Sequence, residues 1–166
     1  MENNLNDKDA LQKFRELAKD INICMFITNT ANDHEHTRPM ATIEVEEDGS
    51  LWFFTDARSI KVQEVNDEKI VHLVYAHPGK ESYLDVWGNA ELVNDRQQIK
   101  DKWSTMVKAW FPKGVDDPNL ALLKVKPTDA YYWEAKTGKM VKALKIAASV
   151  VTGTRLAEGA EGSLNL

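Results

Sequence analysis

One cysteine, Cys24, is all that 166 residues contain, so no intrachain disulfide can staple the chain. Such usage fits a reducing cytoplasm. Cys24 lies in the apolar run ICMFI and reads as a small buried hydrophobe rather than a reactive thiol. Long apolar runs are missing too: nothing approaches the ~18 continuous residues of a membrane-spanning helix. The N-terminal MENNLNDKD has no apolar core of a secretory leader, so the expected location is the cytoplasm and no membrane partner is expected. Basic charge is also short, with 21 Lys and Arg against 26 Asp and Glu and a net charge of −5. That balance excludes wholesale binding to nucleic acid or anionic membrane, although it leaves room for a local basic pocket. There is no GxSxG, Walker loop, GxGxxG or paired catalytic carboxylate, so hydrolase and nucleotide-triphosphate chemistry lack support. Internal repeats and low-complexity tracts are absent as well.

What remains is an ordinary globular composition, 43% hydrophobic and 28% charged, in a length that suits one domain with a real core. The domain is expected over residues 1–152, with a small, polar, flexible tail over 153–166. Ala10, Phe14, Leu17, Ala18 and Ile21 fall on one helical stripe. Strands are expected at about 22–29, 37–46, 50–55, 69–76 and 82–93, with turns at Asp48-Gly49 and Pro78-Gly79. A short helix is expected at about 59–66. A longer one at about 95–111 would place Ile99, Trp103, Met106, Val107 and Trp110 on one face. Further strands are expected at 120–125 and 129–135, separated by Pro127, and a last helix from Met140 to Val151. Many short strands at hairpin spacing with few helices give a mainly β fold, a β-barrel with helical additions.

The stretch RPMATIEVEEDGSLWFFTDARSIKVQEV, residues 38–65, reads as strand, tight turn, strand and a polar loop opening a helix. In a hairpin the start of the first strand lies beside the end of the second. Arg38 is therefore expected near Thr55 and the Ser59–Lys61 turn. Two cations, two hydroxyls and the free amides of a helix N-terminus make a phosphate cradle. Arg brings a planar fork and Lys a point charge. The same residues could instead be solvated surface charges and a helix cap. The aromatics Trp52, Phe53 and Phe54, Tyr83 and Trp87, and Tyr131, Tyr132 and Trp133 pack a core or an interface, and one or two could wall a planar cofactor. The string Asp33-His34-Glu35-His36 has metal-binding residue types but no third His or Cys at a set spacing, so it reads as a solvated loop and no metal is expected.

In their order and spacing, RPMAT (38–42), WFFTDARSIKVQEV (52–65), SYLDVWGNAELV (82–93) and YYW (131–133) resemble the pyridoxamine 5′-phosphate oxidase-like flavoproteins, and most closely their bacterial general-stress branch. The resemblance covers about residues 10–150. It implies an FMN-binding split β-barrel and a homodimer with FMN at the subunit interface. Arg38 then matches the phosphate-binding arginine, and Pro39, Met40 and Ala41 run along the flavin. Phe54 and Thr55 match an aromatic-Thr pair, and Ser59 and Lys61 the phosphate loop. Tyr83 falls where a partner residue reaches the ring, and Trp133 matches a C-terminal aromatic near the cofactor. The true oxidases carry basic residues at the positions of Ile43 and Ile60 and an Arg/His-rich C-terminal motif. Here EAKTGKMVKALKIAASVV follows Trp133. The resemblance thus implies a flavin-dependent oxidoreductase, with a nicotinamide as one possible electron donor, that is not a true pyridoxamine phosphate oxidase. A non-catalytic flavin reservoir or redox sensor, or a haem or deazaflavin binder on the same barrel, are the alternatives. No catalytic residue stands out.

Overall fold

The computed structural model describes residues 5–31, 34–135 and 160–165. A two-residue strand β1 (Leu5–Asn6) leads into helix α1 (Asp7–Ile21), followed by β2 (Ile23–Thr28), β3 (His36–Ala41), β4 (Glu44–Val45) and β5 (Leu51–Asp56). Helix α2 (Ile60–Asp67), β6 (Ile70–His77) and β7 (Ser82–Val93) come next. Helix α3 (Arg96–Lys102), a 3-10 turn (Thr105–Ala109), β8 (Leu120–Glu134) and β9 (Ala160–Asn165) complete the described chain.

The apolar stripe of α1 is what makes it a tertiary element: Ala10, Phe14, Leu17 and Ala18 are all buried against the sheet. Asn22 ends the helix in the left-handed region at φ 63°, its N–H donating to the Ala18 carbonyl. The strands form one curled sheet in the order β1-β9-β8-β7-β6-β2-β3, with β5 pairing β8 on one side and β4 on the other. Since β3 and β4 are successive parts of one run, the short β4–β5 pairing curls the sheet into a barrel that stays split between β3 and β5. Phe26, Phe53, Leu73, Val86, Leu123 and Tyr132 fill its interior. On the far side of β5 a second core gathers Trp52, Phe54, Ile99, Val107, Leu120 and Leu122 beneath α3. With apolar layers on both faces, β5 buries Leu51 through Thr55 without alternation.

Several expectations change. The long helix over 95–111 is two pieces. Asp95 caps α3 through Gln97 and Gln98 N–H, both at 2.9 Å, but Trp103 and Ser104 are extended. That extension turns Trp103 onto the Phe54 ring at 5.7 Å, and its packing against the second core outweighs continuing the helix. Met106 and Trp110 are left 77% and 67% exposed instead of on a buried face. The single run 37–46 is interrupted at Thr42–Ile43, where the chain passes from β3 to β4. Pro127 does not break the sheet: β8 is one strand, and its register against β7 slips between Trp87 and Gly88. Thr128 is the extra residue, its hydroxyl donating to the Trp87 carbonyl at 3.2 Å, and a bulge tolerates the missing proline N–H. Within the expected tail, Ala160–Asn165 form β9, paired with β8 and β1. The helix expected over Met140–Val151 lies outside the described residues. The 82–93 strand, the Asp48-Gly49 turn with Gly49 at φ 86°, and Ser59 at the start of α2 stand as read.

At the bulge β7 and β8 come unusually close. A Cβ on Gly88 would sit 2.7 Å from the Lys126 carbonyl oxygen and 2.9 Å from Val125 Cγ1. Gly88→Ala is therefore expected to destabilise the fold by about 1–3 kcal/mol, the range of core overpacking. Urea denaturation is expected to show a lower midpoint at unchanged slope, and an unchanged midpoint would refute this close-packing account.

Candidate functional site

The barrel is split where β3 leaves β5. The last rung joins Ile43 N–H to the Trp52 carbonyl at 2.8 Å, while Thr42 N–H turns the other way, to the Asn22 carbonyl at 2.8 Å. Backbone groups alternate along a strand, so those of Pro39 and Ala41 face the gap and those of Arg38 and Met40 face β2. Among the described residues β3 has no second ladder partner. Pro39 suits an edge strand, where its missing N–H costs no rung. The split therefore offers carbonyls at Pro39 and Ala41 and an amide at Ala41.

One end of the gap is floored by the start of α2. Ser59 is extended at φ −68° and ψ 151° and makes no side-chain cap. Its Oγ is buried with no hydrogen-bond partner. An orphaned buried hydroxyl is costly and marks a place where another group is meant to bond. Of the first-turn amides of α2, Val62 N–H donates to the Ser59 carbonyl at 3.0 Å, and those of Ile60 and Lys61 stand before the first such bond. Thr55, 1% exposed, is the penultimate residue of β5, and its Oγ1 reaches only the Asp56 carbonyl at 3.4 Å. The Lys61 ammonium is pushed down from 10.5 to about 8, chiefly by burial and then by the nearby Arg38 charge, with Asp56 opposing. Two cations that feel each other's charge favour an anion near both.

Arg38 reaches this place by another route than the hairpin expected from sequence. β3 pairs β2 rather than β5, with Arg38 opposite Phe26, which turns the arginine to the inner face. There Nη1 donates to Thr28 Oγ1 at 2.6 Å, and Nη2 lies 3.3 Å from Glu64 Oε2 on α2. Glu64 also accepts from Thr28 Oγ1 at 2.5 Å and is bonded to His36 Nδ1. Burial raises the Glu64 carboxyl, but the bonds from Thr28 and His36 and the Arg38 charge outweigh it and hold it below the usual range. Thr28 and Glu64 were not legible as site residues. Glu64 follows Lys61 by three positions, a spacing that puts both on one helix face, and that was the available signal. His36 was read only as part of a solvated loop. Asp33 of that string lies outside the described residues, and no group of three metal-ligating side chains occurs among those described.

The other expected residues divide. Met40 is buried against Cys24 on the inner face, so it lends packing rather than a side chain to the gap. The Phe54 ring belongs to the second core, against Trp103 and Phe111. Tyr83 and Trp133 face each other across β7 and β8, 37% and 40% exposed, on the outer face. Within one chain Tyr83 is three strand spacings from Arg38, about 14 Å along the sheet, and Trp133 four, about 19 Å, both on the opposite face. Cys24 is inert, its thiol pushed up to about 12 by burial. A groove of about 520 Å³ opens at the β3–β4 corner, lined by Lys19, Asn22 and Thr42 to Val45, none of them a cradle residue.

The lowered Lys61 value has a stability consequence. Between pH 8 and 10.5 the unfolded chain binds more protons than the folded one, so stability of the ligand-free protein is expected to rise with pH through that window. Below pH 8 both states are charged and the penalty is full. Lys61→Met is expected to remove that slope and to stabilise the ligand-free protein at neutral pH by on the order of 1 kcal/mol after solvent screening. Denaturant melts across pH 7–10.5 check this, and a wild-type stability that falls with pH would contradict it.

Residues 9–157 match the family model described as pyridoxamine 5′-phosphate oxidase like. General stress protein 26 of Bacillus subtilis (strain 168) is 30% identical over 112 residues, covering 58% of this chain and 79% of that protein. A general stress FMN/FAD binding protein from Xanthomonas citri is 25% identical at a TM-score of 0.67, covering 80% of this chain and 93% of that one. At 22% identity, a crystal structure from Jannaschia sp. CCS1, a general stress protein 26 by description, superposes with a TM-score of 0.77 over 96% of this chain and all of that one and shows the shared fold. The split barrel and the matched span agree: the chain belongs to the pyridoxamine 5′-phosphate oxidase-like family.

Proposed function

We propose that this protein is a homodimeric flavoprotein of the general-stress type that binds FMN in the split between β3 and β5. The buried, unpartnered Ser59 Oγ, two residues before a Lys61 that feels the Arg38 charge, carries the reading. Arg38, Thr55, Ser59 and Lys61 hold the phosphate, and the edge from Pro39 to Ala41 offers backbone groups to the ring. Bound FMN would supply the redox chemistry, and the chain's residues bind, orient and shield it. The FMN/FAD binding relative supports a flavin over haem. An electron-donating nicotinamide is the natural co-reactant of such a flavin, and a reducing cytoplasm its natural compartment; no helix among the described residues is long and apolar enough to cross a membrane.

The second subunit enters because the outer face of the sheet is unusually apolar. Ile23, Met25, Ile70, Tyr83 and Trp133 are each more than one-third exposed there. An apolar face of this kind marks an interface. Tyr83 of the partner subunit and Trp133 of the partner subunit then complete the wall that one chain leaves open. Ile43 and Ile60 put no charge where a vitamin phosphate would need its own cation, and Ile60 is 67% exposed.

Arg38→Ala is expected to weaken FMN binding by roughly 1.5–3 kcal/mol, as for a charge-assisted contact, and to leave riboflavin binding unchanged. Fluorescence titration reads both, and equal FMN affinity in the variant would remove the cradle. Light scattering on the same holoprotein is expected to give two chains per particle; a monomer retaining FMN would refute the interface. Purified protein supplied with pyridoxamine or pyridoxine phosphate is expected to show no sustained turnover, and steady product formation would refute that part.

A further inference from the structure

Around Arg38, Thr28, Glu64 and His36 form a polar cluster to which phosphate binding assigns no task. Thr28 is 1% exposed, and its hydroxyl is used twice, accepting from Arg38 Nη1 at 2.6 Å and donating to Glu64 Oε2 at 2.5 Å. Glu64 is bonded to His36 through Oε1 and lies 3.3 Å from Arg38 Nη2 through Oε2. Both terminal nitrogens of the guanidinium are therefore engaged from the β2 and α2 side. The two bonds that anchor Glu64, from Thr28 and His36, do not involve Arg38, so the carboxylate is a fixed support rather than a group that must leave. Arg38 needs such a support. It is a long side chain with several rotatable bonds, and the neighbouring Lys61 charge repels it.

We infer that Glu64 is a positioning residue for phosphate recognition: with Thr28 it fixes the Arg38 guanidinium against Lys61, leaving the remaining N–H donors for the anion. The inference rests on the phosphate reading of the site. Glu64 also opposes an anion by its own charge. That opposition is muted because three donors, Thr28, His36 and Arg38, already share the carboxylate. Orientation is then the larger effect, since an arginine fork binds phosphate well only when both its N–H groups are aimed.

The test is a double-mutant cycle on the full chain, with FMN and riboflavin titrated into wild type, Glu64→Gln, Arg38→Ala and the double variant. Glu64→Gln is expected to weaken FMN about tenfold, the size of one lost charge-assisted contact, while riboflavin stays within about twofold. In the Arg38→Ala background the same change is expected to alter FMN affinity by less than about twofold, because the residue acts only through the arginine. Tighter or unchanged FMN binding in Glu64→Gln, an equal loss for riboflavin, or a full effect without Arg38 would each overturn the positioning role. If Arg38→Ala itself leaves FMN affinity untouched, the phosphate reading falls and this inference with it. If Arg38→Ala weakens FMN and Glu64→Gln does not, only the inference falls. Should Glu64→Gln fail to fold, Thr28→Val severs the same support from β2 and is read identically.

Discussion

Everything at the site depends on the ladder between β4 and β5 stopping at Ile43–Trp52. Were it to continue, β3 would seal against the end of β5 and the barrel would close. Because it stops, an edge with free backbone groups faces the start of α2. β2 holds β3 from the other side along its whole length, from Ile23 opposite Ala41 to Thr28 opposite His36. The gap is thus rigid on both banks, which is what a site for a planar group needs. The apolar layers on both faces of β5 hold the second bank, with Phe53 in the barrel and Phe54 beneath α3.

The proposed phosphate cradle carries local costs in stability. Lys61 is charged at neutral pH although its surroundings push it toward neutrality, and Ser59 buries a hydroxyl without a partner. Both costs fall within a few residues of each other and of Arg38. A chain selected for stability alone would place an apolar side chain at 61 and a capping contact at 59. Clustered costs of this kind are the physical signature of a binding site. Buried polar groups elsewhere are mostly paired, as where Thr42 bonds Tyr75 at 2.7 Å and Arg96 bonds the Val115 and Leu120 carbonyls, although Arg15 Nε and Trp52 Nε1 also lack partners.

Local chemistry made much of this legible in the sequence. The stripe from Ala10 to Ala18, the strand Ser82–Val93 and the Asp48-Gly49 turn follow from periodicity and turn preference. Ser59 was recognisable as the residue opening α2. The nearness of Arg38 to α2 was reached by a simpler route than the real one, since the hairpin argument ignored the strand β2 that carries Arg38 inward. What stayed hidden was tertiary. Pro127 reads as a breaker until Gly88 supplies the bulge opposite it. Trp103 looks helical until Phe54 offers it a place to pack. β9 carries little pattern of its own, and the support of Arg38 by Thr28 and Glu64 joins three elements distant in sequence.

The central claim is that a phosphate is read by the Arg38–Lys61 pair, and proton uptake tests it most directly. At pH 9 Lys61, with a value of about 8, is mostly neutral, whereas a bound dianion would restore its charge. Calorimetry of FMN binding at pH 9 in buffers of differing ionisation enthalpy is predicted to show uptake of most of one proton, and none in Lys61→Met. Wild-type binding with no dependence on the buffer, or uptake that persists without Lys61, would contradict the account.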